Sequence, residues 1–303
     1  MPRILSTLLI LTLLTAVPAT ACTNFIASKK ATVDGSVIVT YTCDGEFRPI
    51  LRHFPAADYG PDEYFEVVSW GGKVMGKVKQ PAHTYAVVNL MNENQVAIGE
   101  TTTGGRDELT NPDGILSYWR LMQLTLQRAK SARHAIQVMG QLVDEYGYNS
   151  TGESFAIGDP EEAWIMEMVG PGPGGSGAHW VALHVPEGYV SAYANKGRIG
   201  TFDMDDDDNC LHSGTGMIDF AEANGWYSKD DGDFNWSKAF HPAQPQKLRY
   251  TAARVWSLFR RCAPSQNFPT DYHRGDADAE PYPLWIKPDE KLDVADVFAL
   301  MRD

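Results

Sequence analysis

The chain has 303 residues, of which 43% are hydrophobic and 11% aromatic, enough for one large domain or two small ones with a sizeable core. Its formal net charge of −13 argues against nucleic acid and against an anionic membrane surface as partner. No apolar run after Val17 approaches the roughly 20 residues that span a bilayer, so the mature chain is expected to be soluble outside the cytoplasm.

The first element reads as an export signal. Arg3 precedes an apolar run from Ile4 to Val17, Pro18 breaks it, and Ala19-Thr20-Ala21 supplies the small residues that a signal peptidase reads. The chain then divides into a signal peptide, residues 1–21, and one mature domain, residues 22–303, bound for the periplasm or for secretion. Cleavage after Ala21 leaves Cys22 as residue one, with a thiol and a free α-amine on the same residue. A nucleophile that carries its own base is the working part of an N-terminal-nucleophile amidohydrolase. Two other readings of the stretch stand beside this one. Small residues before a cysteine also mark bacterial lipoproteins, whose cysteine is acylated, although Ala19 stands where such signals normally carry a large aliphatic residue. The third reading is an ordinary buried cysteine near a secreted N-terminus.

Phe25-Ile26-Ala27 and Val37-Ile38-Val39 flank Asp34-Gly35 and predict a hairpin that holds Cys22 in a sheet. Tyr64 to Trp70 predicts a third strand, stopped by Gly71-Gly72. Tyr85 to Met91 and Gln95 to Thr101 predict another hairpin, turning at Asn92-Glu93-Asn94. The apolar period then lengthens. Pro112 to Lys130 predicts a helix capped by Asn111, and Ser131 caps a second helix to about Tyr146. Two helices after a run of strands suggest a helical layer on a sheet. Strands return at Ser154–Gly158, Ala163–Val169, His179–His184 and Tyr189–Ala194. The glycine-rich loop Gly170–Gly177 between them is too irregular for a phosphate-binding motif. Helices are predicted at Thr215–Asn224 and Pro245–Arg261, and a last one, capped by Asp293, runs through Met301. The chain stops at Asp303 without a cap, which reads as a helix cut short or as a frayed terminal helix.

Four positions can carry chemistry. An α-amine on Cys22 has a reference pKa of about 7.7–8.0, suited to a general base that takes the thiol proton. Asn92, at a predicted turn, can donate to an oxyanion, a contribution on the order of 3–4 kcal/mol; Asn is equally a preferred turn residue. Asp44 follows the strand that neighbours Cys22 and can hold its charged amine, or is a solvated loop aspartate. Asn195 ends a strand with Arg198 close behind; both can orient substrate, and both can be loop residues. The acidic run Asp203 to Asp208 lacks the glycine and distal glutamate of the common calcium loop and reads as a solvated loop. Neither the eight histidines nor the four cysteines have ligand spacing, so no metal and no cofactor are expected. With Cys22 free, at most one disulfide forms among Cys43, Cys210 and Cys262. Asn149-Ser150-Thr151 and Asn235-Trp236-Ser237 match the glycosylation pattern, which matters only in a eukaryotic secretory host.

Cys22-Thr-Asn-Phe-Ile-Ala-Ser-Lys-Lys-Ala-Thr-Val-Asp-Gly-Ser36 resembles the mature start of the bacterial cysteine dipeptidases of the dipeptidase A type. Those enzymes stand with choloylglycine hydrolase and penicillin V acylase among the Ntn-hydrolases. Met91–Thr102, Gly152–Met168 and Ala194-Asn195 with Arg198-Ile199 resemble three further motifs, in family order. The resemblance implies an α+β fold, a four-layer αββα sandwich of two antiparallel sheets between helical layers. It implies Cys22 as nucleophile and base, Asp44 at the acidic position near its amine, Asn92 at the oxyanion position, and Asn195 on the substrate side. The activity it implies is hydrolysis of dipeptide amide bonds through an acyl-enzyme, on small peptide substrates. Hydrolysis of another amide, a conjugated bile acid or a penicillin-type acyl amide, is the neighbouring reading. A lipid-anchored binding protein or an inactive relative is the reading of another class. Two departures stand out. Relatives often place an arginine shortly before the position of Asp44, where this chain has Thr40-Tyr41-Thr42. They are also usually much longer, so the chain reads as a fragment or a truncated paralogue.

Overall fold

The computed structural model describes residues 21–44, 50–242, 244–276 and 278–302, so the signal-like segment 1–20 lies outside the described residues. The first strands in chain order are β1 (Cys22–Ala27), β2 (Ile38–Val39), β3 (Thr42–Cys43), β4 (His53–Phe54) and β5 (Ala57–Asp58). They are followed by β6 (Tyr64–Val68), β7 (Val74–Lys79), β8 (His83–Thr84), β9 (Val87–Val88), β10 (Met91–Asn92) and β11 (Ala97–Thr102). Helices α1 (Tyr118–Leu126) and α2 (Ala132–Tyr146) come next. The chain then returns to β12 (Gly152–Gly158), β13 (Ala163–Val169), β14 (His179–His184), β15 (Val190–Tyr193) and β16 (Cys210–His212). Helices α3 (Gly216–Ala223), α4 (Trp236–Phe240), α5 (Pro245–Leu248), α6 (Ala252–Cys262) and α7 (Asp271–Arg274), strand β17 (Trp285–Ile286) and helix α8 (Val294–Met301) complete it.

Two sheets carry the architecture. One has eight strands in the order β16-β14-β13-β12-β11-β10-β9-β4; the other runs β17-β15-β1-β2, with β3 also on β1. The named pairings within both are antiparallel. Helices α1 and α2 cover the outer face of the large sheet, and α6 and α8 cover the outer face of the small one, which makes an α+β sandwich in four layers. Strand β1 shows why. Alternate residues of a strand face opposite ways. Phe25 and Ala27 pack with Val255, Leu258 and Phe259 under the small sheet, whereas Ile26 packs with Ala156, Ile165 and Tyr193 between the sheets. With apolar layers on both sides, β12 and β13 are buried along their whole length. The sheets approach closely at Gly99 of β11, where an added Cβ would stand 2.3 Å from Asn24 Nδ2. Among the described residues no helix is long and apolar enough to cross a membrane.

Most predicted elements fall where the periodicity put them. Ser131 caps α2 by accepting from His134 N–H, and Asp293 caps α8 in a reciprocal pair with Asp296. Two helices differ. The helix expected from Pro112 starts at Tyr118, because Ile115 N–H and Leu116 N–H donate to Tyr146 O and Gly147 O at the exit of α2. That extended contact cannot coexist with helical geometry before Ser117. The helix expected over Pro245–Arg261 is two, α5 and α6.

Candidate active site

Cys22 opens β1 at a point where both sheets and α6 converge. Its backbone N–H donates to Asn195 Oδ1 at 2.9 Å. Asn195 follows β15, which is paired with β1, and its φ of 56° lies in the left-handed region that Asn tolerates. Its Nδ2 donates to Thr102 O at 2.8 Å, so one side chain ties the end of β11 in the large sheet to the start of β1 in the small one. An amide nitrogen carries two hydrogens, and this contact uses one.

Arg254 of α6 completes the arrangement. Its guanidinium donates to Asn195 Oδ1 (2.7 Å), to Thr23 Oγ1 (2.8 Å) and, closely, to Cys22 O. Burial lowers its pKa, opposed by the nearby Asp44 charge, and it stays cationic. Sequence reasoning missed this residue. Arg254 sits in an amphipathic helix with Arg260 and Arg261, a pattern that ordinarily means a solvated face. The signal it did leave is its place directly beside the buried Val255.

The other flank is acidic. Glu100 Oε1 stands 4.0 Å from Cys22 Sγ and accepts from Tyr41 OH at 2.6 Å. Tyr41, shortly before Asp44, thus faces a carboxyl group. Burial raises the Glu100 pKa, and burial raises that of Glu153 behind it much further, with the Glu100 charge adding to the effect. Burial also pushes the Cys22 thiol well up, with the nearby Glu100 charge adding to it. In this peptide-bonded state Cys22 is therefore a protonated thiol. Asp44 is exposed. Its backbone N–H donates to Ala21 O at 2.7 Å, which places it beside the Ala21–Cys22 bond, and its charge acts on Arg254.

Two expected residues lie elsewhere. Asn92 is buried in its turn. Its Nδ2 donates to Leu126 O and Ala129 O, both at 2.8 Å, and its Oδ1 accepts from Asn94 N–H and Val96 N–H, both at 3.0 Å. Both amide hydrogens are engaged, so Asn92 has none to offer an oxyanion; the turn propensity governs. Arg198 is likewise occupied. Its guanidinium donates to the backbone carbonyls of Ala192, Pro283, Tyr282 (3.3 Å) and Leu284 (3.5 Å), which holds segment 282–284 against β15. It also borders a cavity of about 160 Å³ with Lys196 and Tyr272; the contacts of its terminal nitrogens hold the fold. The four cysteines are free. Cys210 and Cys262 are buried in separate cores, where burial raises each thiol to about 12.

Residues 53–303 match the family described as Peptidase family C69. The chain is similar to a "Probable dipeptidase" of Salmonella dublin, 25% identical over 93% of this chain and 66% of that protein. It is similar to a "Dipeptidase" of Bifidobacterium longum (strain NCC 2705), 27% identical over 91% of this chain and 57% of that protein. It also resembles a "Dipeptidase A" of Lactobacillus helveticus, 26% identical over 79% of this chain and 53% of that protein. The chain thus spans between about half and two thirds of the length of these relatives.

Proposed function

We propose that this chain, which belongs to peptidase family C69, is an exported hydrolase that cleaves dipeptide amide bonds through the Cys22 thiol. The observation that carries the reading is the grip on the Cys22 nitrogen. Asn195 Oδ1 accepts from it, and Arg254 holds Asn195 Oδ1 and Cys22 O together. Removal of residues 1–21 turns that amide nitrogen into an amine without moving its partner. One N–H still points at Asn195, and the lone pair becomes free to accept the thiol proton. The thiolate then attacks the substrate carbonyl, and the charged amine protonates the leaving nitrogen as the thioester forms. Water, deprotonated by the same amine, releases the acid.

Arg254 supplies the cation next to the developing thiolate, in place of the arginine that this chain lacks before Asp44. Asp44, beside the scissile Ala21–Cys22 bond, favours the charged amine. The names of the relatives point to dipeptides as the substrate class. Small peptides are the partners in this reading; export carries the enzyme to the periplasm or beyond. The test is direct. Mature protein beginning at Cys22 is expected to hydrolyse a panel of dipeptides, and Cys22→Ala to lose at least about 10³-fold in kcat/KM. Retained turnover in that variant would overturn the mechanism. Activity confined to bile-acid or penicillin-type amides would move the substrate class. An acylated Cys22 amine in the intact mass of exported protein would exclude this base.

A further inference from the structure

Cys22 and Cys43 are partners across β1 and β3. The hydrogen bond from Asp44 N to Ala21 O makes residues 21 and 44 the hydrogen-bonded pair. Residues 22 and 43 are then the non-hydrogen-bonded pair, whose side chains stand on one face at closest approach. Cα atoms in such a pair are about 4.5 Å apart, inside the roughly 4.4–6.8 Å range that disulfides occupy. The two sulfurs are already 3.3 Å apart. Cys43 is partly exposed, whereas Cys22 is 5% exposed. Cys210 and Cys262 sit in other cores, out of this pair.

We propose that Cys22 and Cys43 form a reversible disulfide when the protein meets a small-molecule disulfide, with Cys43 as the point of entry. The Cys43 thiolate attacks one sulfur of the reagent RSSR, forms a mixed disulfide Cys43–S–S–R and releases one RS⁻. The Cys22 thiol loses its proton to solvent and attacks the Cys43 sulfur. The Cys22–Cys43 bond forms and the second RS⁻ leaves. Two protein thiols are oxidised, one disulfide is reduced to two thiols, and two electrons pass to the reagent. Access sets the order of the steps. Cys43 is reachable, while the desolvated Cys22 thiol is a poor first nucleophile but stands at contact distance from the mixed disulfide. Cys43 has no part in the proton path proposed above, so its place opposite the nucleophile is explained by this bond. An exported protein works where such reagents persist.

The effect on turnover rests on the proposed function, whereas the bond itself does not. The probe is oxidised glutathione, applied to the mature chain. Free thiols are expected to fall from four to two, the mass to drop by two hydrogens, and proteolysis to yield one linked peptide pair joining Cys22 to Cys43. Dithiothreitol should restore all thiols. Dipeptide hydrolysis should vanish and return in step with the bond. Cys43→Ser should keep its activity under the same treatment. A glutathione that remains on Cys43, links through Cys210 or Cys262, or an unchanged thiol count would each overturn the proposal. A linked pair in a protein that never hydrolysed dipeptides would leave the bond standing and remove the proposed function.

Discussion

Two asparagines of like composition part company in the folded chain. Asn195 spans two sheets at Cys22; Asn92 satisfies four backbone groups, two in its own turn, one at the end of α1 and one just after it. Asn92→Ala should therefore act on stability. It removes the acceptor of two N–H groups and the side-chain donor to two carbonyls, of which Ala129 O keeps Asn94 Nδ2 at 3.3 Å, and is expected to lower the unfolding free energy by about 2–4 kcal/mol. The folded fraction should keep its kcat within about twofold. Urea unfolding and active-site-normalised kinetics separate the two roles. A loss of about 10²-fold in kcat at unchanged stability would return Asn92 to the oxyanion. Residue type and spacing could not discriminate here, because an amide side chain at a turn suits both tasks.

At the scale of elements, the sandwich depends on how closely β1 and β11 approach. Gly99 allows it: a methyl group there would meet Asn24 Nδ2 at 2.3 Å and Thr40 O at 3.0 Å, and the Asn24 side chain is itself tied to Thr40 O. Gly99→Ala should push the sheets apart at the start of β1 and cost about 1–3 kcal/mol, read as a lower urea midpoint with an unchanged slope. Activity should fall with it, since Thr102, Asn195 and Cys22 are joined across the same gap. An unchanged midpoint would show that the sheets have slack there. The sequence marked β11 as a strand but held no sign that its glycine faces another sheet.

Across the whole molecule, buried carboxyl groups set the pH response. Glu100 and Glu153 are both buried and interact with each other, with the Thr102 side chain against Glu153. Two such groups do not both ionise readily side by side out of water. Their folded pKa values lie above the ordinary 4.5. The folded state holds the proton more tightly than the unfolded state, so this contribution is fully present below pH 4.5 and is lost as pH rises through the folded values. Glu153→Gln keeps the shape of the protonated acid. The variant should match the wild type in acid and gain on it steadily as pH rises, measured as the difference in Tm across a pH series. A difference independent of pH would show that Glu153 is ionised in the folded state or pairs with another group.

By itself the sequence determined the local structure and singled out Cys22 as the candidate nucleophile. Period-two and period-3.6 patterns, caps at Ser131 and Asp293, and the cysteine behind small residues are all short-range signals, written within a few neighbours. Only the tertiary structure decided which residues meet Cys22. Arg254, Glu100 and Asn195 come from separate elements far along the chain, and a charge beside a buried backbone looks, in sequence, like any solvated arginine. The structure also occupies the amide of Asn92 and the terminal nitrogens of Arg198 with carbonyls that no linear pattern places beside them. Burial and hydrogen-bond competition are properties of packing, and packing is where this site is defined.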